Sequence, residues 1–160
     1  ASHEVDVKCR ALLAGHLLQD GRIAEAGDIL VSSPMEGYPD LRQIKARWLV
    51  ATGERDLAVY TLSSDLPDLS TNPNYFALLA SYYQRFGYAE KALEIYSQLI
   101  QFDENVADWW AGLAISSEQA KQWPQARFAY QQASEVAGLN PQLSEFVQRR
   151  LKELNQVGRP

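Results

Sequence analysis

A period of about 34 residues runs through the middle of the chain and restricts its fold more than any other feature. Phe76 and Trp110 stand one period apart, as do Leu79 and Leu113, Ala80 and Ala114, Ala92 and Ala126, and Tyr96 and Tyr130. Each set reads large, aliphatic, small, and then small, aromatic. Ala46 and Ala58 extend the two alanine columns one period toward the N-terminus, and Gly53 does the same for Gly87. A fixed period of this length describes an array of helix–turn–helix units. The residue types have physical reasons. Alanine suits a place where two helices of a pair approach closely, because a larger side chain would wedge them apart. Phe76 and Tyr96 fill wider gaps, and Gly87 ends a first helix in the left-handed conformation. One unit cannot bury its apolar face alone, so neighbours must stack on it.

The columns predict a single domain over 1–160, with repeats at about 4–38, 39–72, 73–106 and 107–140. The first repeat is degenerate, since the step from Ala14 to Ala46 falls short of a full period. Its helices are predicted at 4–19 and from 23 to before Pro34. Pro34, Gly37 and Pro39 exclude helix from the loop that follows. The second repeat opens near Pro39 and has a short second helix at 55–64, broken by Ser63-Ser64-Asp65 and Pro67. Asn72-Pro73 and Asn140-Pro141 each place a capping side chain before a proline at the first helical position. The spacing predicts helices at 73–86, 89–102, 106–120 and 123–137. A last helix at 142–155 carries Leu143, Phe146, Val147 and Leu151 on one face. It reads as a cap over the final repeat's apolar edge.

These columns resemble the tetratricopeptide-repeat class. That likeness implies an all-α superhelix of about four helix–turn–helix repeats plus a C-terminal capping helix. A narrower likeness rests on residues 75–87, on Trp109-Trp110-Ala111-Gly112-Leu113-Ala114-Ile115, on Tyr130 and on residues 146–151. Together they resemble the C-terminal repeat region of the MshN family, biogenesis proteins of the mannose-sensitive haemagglutinin (MSHA) pilus, a type IV pilus. The likeness covers about 40–155. It implies a role in pilus assembly and a periplasmic place, anchored to the inner membrane through an upstream segment. The alternative is a cytoplasmic adaptor or co-chaperone that regulates another protein.

Composition narrows the function classes. The net charge is -5, which argues against nucleic acid as a partner, since that needs a basic surface to displace counterions. No run of apolar residues is long enough to cross a bilayer. The opening Ala1-Ser2-His3 carries no signal peptide and reads as a processed or engineered start. Cys9 is the one cysteine, so no internal disulfide can form. It reads as a half-buried helix residue. His16 has leucine three residues before it, which does not fit a bundle-type metal site. His16 with Asp20 is a poor pair for a metal. There is no glycine-rich phosphate cradle. No catalytic residue, metal or cofactor is expected.

A protein or peptide partner would lie on the first helices, which line the concave face in this repeat class. Counting from the alanine columns, Lys8, Ala11, Gly15, Leu18 and Gln19 face the groove in the first repeat. Asp40, Gln43, Arg47, Val50 and Ala51 do so in the second, and Asn74, Ala77, Ser81, Gln84 and Arg85 in the third. Asp108, Ala111, Ile115, Glu118 and Gln119 follow in the fourth. The contacts expected of a partner are Gln43, Arg47, Asn74, Ser81, Arg85, Ile115 and Glu118. Small residues make the floor shallow, which suits a helix or an extended segment. The carboxylate clamp of chaperone-binding repeats is absent, because its positions include Ala11, Gly15, Ala77, Ser81 and Gly112. Trp110 and Trp123 read as packing residues, while Trp48 and Trp109 are open between core packing and a partner-binding anchor.

Overall fold

The computed structural model describes residues 2–157. Among these residues there are nine helices and no strand. Internal contacts divide the chain into two compact units, one ending at Tyr75 and one starting at Phe76. The first holds α1 (Ser2–Gln19), α2 (Ile23–Val31), α3 (Pro39–Ala51) and α4 (Arg55–Ser63). Helix α5 (Pro73–Arg85) starts at its edge. The second holds most of α5 with α6 (Ala89–Phe102), α7 (Ala107–Gln119), α8 (Trp123–Glu135) and α9 (Pro141–Val157).

Each first helix ends in the same turn. Arg22 N–H donates to the Leu17 carbonyl, Glu54 to Leu49, Tyr88 to Tyr83 and Gln122 to Ser117, all at 2.8 Å. This bond closes around one left-handed residue. That residue is Gly21, Gly53 and Gly87 in three cases, with φ of 75°, 89° and 90°. In the fourth it is Lys121, with φ 59°. A side chain in that conformation is strained by contact between Cβ and the next carbonyl.

The capping residue of α9 is Asn140, whose Oδ1 accepts the Leu143 N–H at 2.9 Å. Proline occupies the first helical position there, where a missing N–H costs nothing. Helix boundaries differ from the sequence reading by one or two residues. Helix α8 stops at Glu135 rather than 137, because Val136 is already extended with ψ 130°. Helix α9 runs on to Val157 rather than 155.

The alanine columns sit where the helices of a pair meet. Ala14, Ala46, Ala80 and Ala114 on first helices have no exposed surface, nor do Ala26, Ala58, Ala92 and Ala126 on second helices. In the first unit, Val7, Ala11, Ala14, Leu30 and Leu41 form a core cluster that Trp48 packs against. The Trp48 indole lies on the bare backbone of Gly27, where a Cβ would come within 2.8 Å of its Cζ2. Its Nε1–H donates to the Ile23 carbonyl at 3.0 Å. Arg42, which the columns do not single out, is buried. It pairs with Asp65 at 3.3 Å, and its guanidinium carbon stands 5.3 Å from the Tyr75 ring centroid. The Tyr75 hydroxyl donates to the Leu62 carbonyl at 2.7 Å. These contacts pin the irregular stretch after α4, which has no helical ladder of its own.

In the second unit, Trp109 and Trp110 are both buried. Trp110 Nε1–H donates to the Glu104 carbonyl at 2.8 Å, and the ring meets Phe128 edge-on at 5.9 Å. Helix α9 packs on α8 through Val147, Leu151 and Leu154, with Phe146 edge-on to Tyr130 at 6.2 Å. Two readings need correction. Cys9 is exposed rather than half-buried, because α1 turns it away from the core formed by Val7, Ala11 and Ala14. Trp123, the first residue of α8, is 46% exposed rather than packed.

Candidate protein-binding surface

The first unit carries an open cavity of about 710 Å³ between α1 and α3. Lys8, Ala11, Gly15, Leu18 and Gln19 line it from α1, and Asp40, Gln43, Arg47 and Ala51 from α3. These residues recur every three or four positions, so one face of each helix supplies them. Val50 is not among them. Leu12, His16, Ile23 and Ile44 also line the cavity, although counting from the alanine columns does not reach them. A signal was present in the sequence. Val5, Leu12 and Leu13 on α1 lie outside the column positions, and all three are exposed. Of the three, Leu12 lines the cavity.

The floor is hollow because its residues are small. Gly15 has ordinary contact room, since a Cβ there would stand 3.5 Å from Ile44 Cδ1. Ala11 and Ala51 add no bulk. Polar groups mark the two ends of the cavity. Asp40 lies toward the N-terminal ends of α1 and α3, beside the ion pair of Lys8 with Glu4 at 3.1 Å. Arg47 and His16 lie toward the C-terminal ends. Arg47 is exposed and has no ion-pair or hydrogen-bond partner among the described residues.

The remaining expected contacts are differently disposed. Asn74 is exposed at the start of α5. The Ser81 hydroxyl donates to the Leu78 carbonyl at 2.8 Å, back onto its own helix. Arg85 is exposed, and its guanidinium carbon lies 5.7 Å and 5.8 Å from the rings of Tyr82 and Phe86. Ile115 is half-buried.

Glu118 is engaged within the second unit. It accepts the Tyr130 hydroxyl at 2.8 Å and Arg150 Nε–H at 3.2 Å, and its other oxygen pairs with Arg150 Nη2. Arg150 lies on α9, beyond the last repeat, so the repeat register alone could not show this. Burial raises the Tyr130 hydroxyl pKa well above its usual value, and the Glu118 carboxylate adds to the effect. Burial does the same for Tyr96, reinforced by Asp108.

Gly112 is no part of an open groove. A Cβ there would fall 2.2 Å from Tyr96 Cζ, so the glycine is what admits the ring. Among the described residues, no three of His, Cys, Asp and Glu gather closely enough to hold a metal ion. No helix among them is long and apolar enough to cross a membrane. The cavity offers an apolar hollow with charged ends.

No protein-family model and no curated protein matches the chain. Solved structures do. A chain of the APC/C hetero-tetramer Cut9–Hcn1 aligns with TM-score 0.72 and 16% identity, over 89% of this chain and 29% of that one. This chain thus spans under a third of that chain's length. MamA, residues 41 to the end, from Desulfovibrio magneticus RS-1, aligns with TM-score 0.70 and 16% identity over 94% of this chain and 89% of its own. The Sgt2 TPR domain from Aspergillus fumigatus aligns with TM-score 0.61 and 22% identity over 76% of this chain and 84% of its own.

The fold is the tetratricopeptide-repeat fold. At these identities the likeness concerns the path of the chain. In tetratricopeptide terms, the first unit holds two helix pairs with the cavity between their first helices. In the second unit, α9 is the terminal helix that covers the last pair.

Proposed function

We propose that the chain is a non-enzymatic scaffold that binds a protein partner through the face its first helices present. The observation that carries this reading is the cavity between α1 and α3. Buried alanines already satisfy the packing of the helix pairs, so the exposed leucine and unpaired arginine on this face have no internal task. The process we infer is assembly of an MSHA-like type IV pilus, with the repeats in the periplasm and tethered to the inner membrane by a segment outside this sequence. This rests on the run from Trp109 to Ile115 and the stretch from Phe146 to Leu151, read with the repeat register. The partner is then a pilus-assembly component. A cytoplasmic adaptor is the competing reading.

The test is capture from envelope extract of a piliated bacterium, with the recovered proteins identified by mass spectrometry. The parent should retain a pilus-assembly protein, and Arg47→Glu with Arg85→Glu should lose it while keeping its helical circular dichroism. Surface changes of this kind rarely shift stability by more than about 0.5 kcal/mol. If the folded double variant captures the same protein as well as the parent, the first-helix face is not the site. Recovery of cytoplasmic proteins alone would favour the adaptor.

A further inference from the structure

Helix α1 is apolar on two sides. Val7, Ala11 and Ala14 face the core, where α2 and α3 pack. On the opposite side Val5, Leu12 and Leu13 are 60%, 65% and 53% exposed, and Cys9 is exposed between them. A helix with apolar residues on both sides is suited to being covered on both. Helix α9 is the contrast, since it covers the last pair of the second unit and leaves Arg149, Lys152 and Glu153 exposed. At the ordinary helical pitch, Ser2, Val5, Asp6, Leu12, Leu13 and His16 lie within about 60° of Cys9 around α1. Val5 and Leu12 fall on one flank of that line, and Asp6, Arg10 and Leu13 on the other. Of the residues on this face, only Leu12 and His16 also line the cavity, so the face is a separate one.

We propose that this face binds a second copy of the chain, the two α1 helices lying antiparallel about a two-fold axis at Cys9. Such a pair needs a surface that matches its own image, and α1 supplies one. In this arrangement each flank meets its own image, running the other way. Val5 then comes within one residue of the second copy's Leu12, about 1.5 Å along the axis. Asp6 and Arg10 already bond to each other at 3.0 Å. They come within two residues of the second copy's Arg10 and Asp6, about 3 Å along the axis, so the charges alternate in sign across the pair. Lys8 keeps its own ion pair with Glu4 at 3.1 Å. A parallel pair would instead set Val5 beside Asp6 and Arg10 beside Lys8 of the other copy, an apolar group on an acid and two like charges together. Helix α1 has 18 residues and is about 27 Å long, so the contact has the size of a weak, reversible dimer. With helix axes about 10 Å apart, the two Cys9 Cα atoms would be about 5.4 Å apart, within the range a disulfide spans. The cysteine reports the pairing and does not cause it.

The test is sedimentation equilibrium of the full chain with its thiols reduced. The parent should dimerise in the micromolar range. Val5→Glu with Leu13→Glu should weaken association by at least about tenfold while the circular dichroism stays helical. The register is read with diamide, which takes two electrons and two protons from two thiols and leaves a disulfide and reduced diamide. The parent should cross-link through Cys9, and faster than the double glutamate variant. In Cys9→Ser with Val5→Cys, the antiparallel pair sets the two new thiols eight residues apart, about 12 Å, so cross-linking should fall to the rate of the glutamate variant. Adding Leu12→Cys should restore it, because positions 5 and 12 meet. A parent that stays monomeric, a dimer that the glutamates leave intact, a cross-link that survives the move to position 5, or one that Leu12→Cys fails to restore would overturn the inference. Arg47 lies off this face, so envelope capture judges the cavity separately.

Discussion

Replacing Gly112 with alanine sets two effects of opposite sign against each other, and the structure says which wins. Glycine inside a helix costs about 1 kcal/mol relative to alanine, so propensity alone makes Gly112→Ala stabilising. The position lies in the body of α7, and nothing about its local sequence argues otherwise. The tertiary surroundings do. An added Cβ would stand 2.2 Å, 2.4 Å and 2.7 Å from Cζ, Cε1 and Cε2 of Tyr96, where carbon atoms pack at about 3.5–4.0 Å. The ring must therefore retreat by about 1 Å or more to restore that spacing, and it is almost wholly enclosed. Forcing a methyl into a packed core costs about 1–3 kcal/mol. These contacts are far inside the normal range, so the upper part of that interval applies. Subtracting the propensity gain from the overpacking cost leaves a net loss of about 1–2 kcal/mol.

The assay is urea denaturation followed by circular dichroism. Gly15→Ala is the control, since its Cβ would meet only Ile44 Cδ1 at 3.5 Å. That variant should gain up to about 1 kcal/mol. Tyr96→Leu removes the ring atoms that clash, so in the double variant with Gly112→Ala the added methyl should cost less than it does alone. An unchanged or raised midpoint for Gly112→Ala would refute the argument, because propensity would then have outweighed the contact.

Ala92→Leu and Ala126→Leu should each destabilise by about 1–3 kcal/mol, because both alanines are wholly enclosed where helices of a pair meet; unshifted midpoints in both would overturn the assigned repeat register. Lys121→Gly should stabilise by about 1 kcal/mol, read as a higher denaturation midpoint, because it relieves a left-handed side-chain conformation at a turn that glycine closes in the other three repeats. Raising the pH past 10 should destabilise the chain through Tyr96. Its buried hydroxyl has a folded pKa above the ordinary 10.0, so its contribution is complete below pH 10 and is lost as pH rises toward the folded value. Tyr96→Phe should make the alkaline fall in melting temperature shallower, and an identical pH profile for variant and parent would count against it.

The helix pairs were legible in the sequence because the constraint that makes them is periodic. Every repeat needs a small residue at the same two places and a left-handed residue at the same turn. Ala80 with Ala114 and Gly53 with Gly87 therefore report the fold by spacing alone. Part of the candidate site was legible for the same reason, since positions such as Gln43 and Arg47 follow from counting along a helix. What the spacing could not carry were contacts made by one repeat only. Gly112 reads as an ordinary small residue until Tyr96 is seen resting on it. Glu118 reads as a groove-facing contact for a partner until α9 brings Arg150 beside it. Arg42 is not singled out by the columns, and only the fold brings Asp65 and Tyr75 beside it. Trp48 is open between core packing and a partner's anchor until Gly27 and the Ile23 carbonyl receive it. Periodicity determined which residues every pair must bury. Only the tertiary structure decided which polar groups those pairs consume, because such contacts join residues whose separations the period does not repeat.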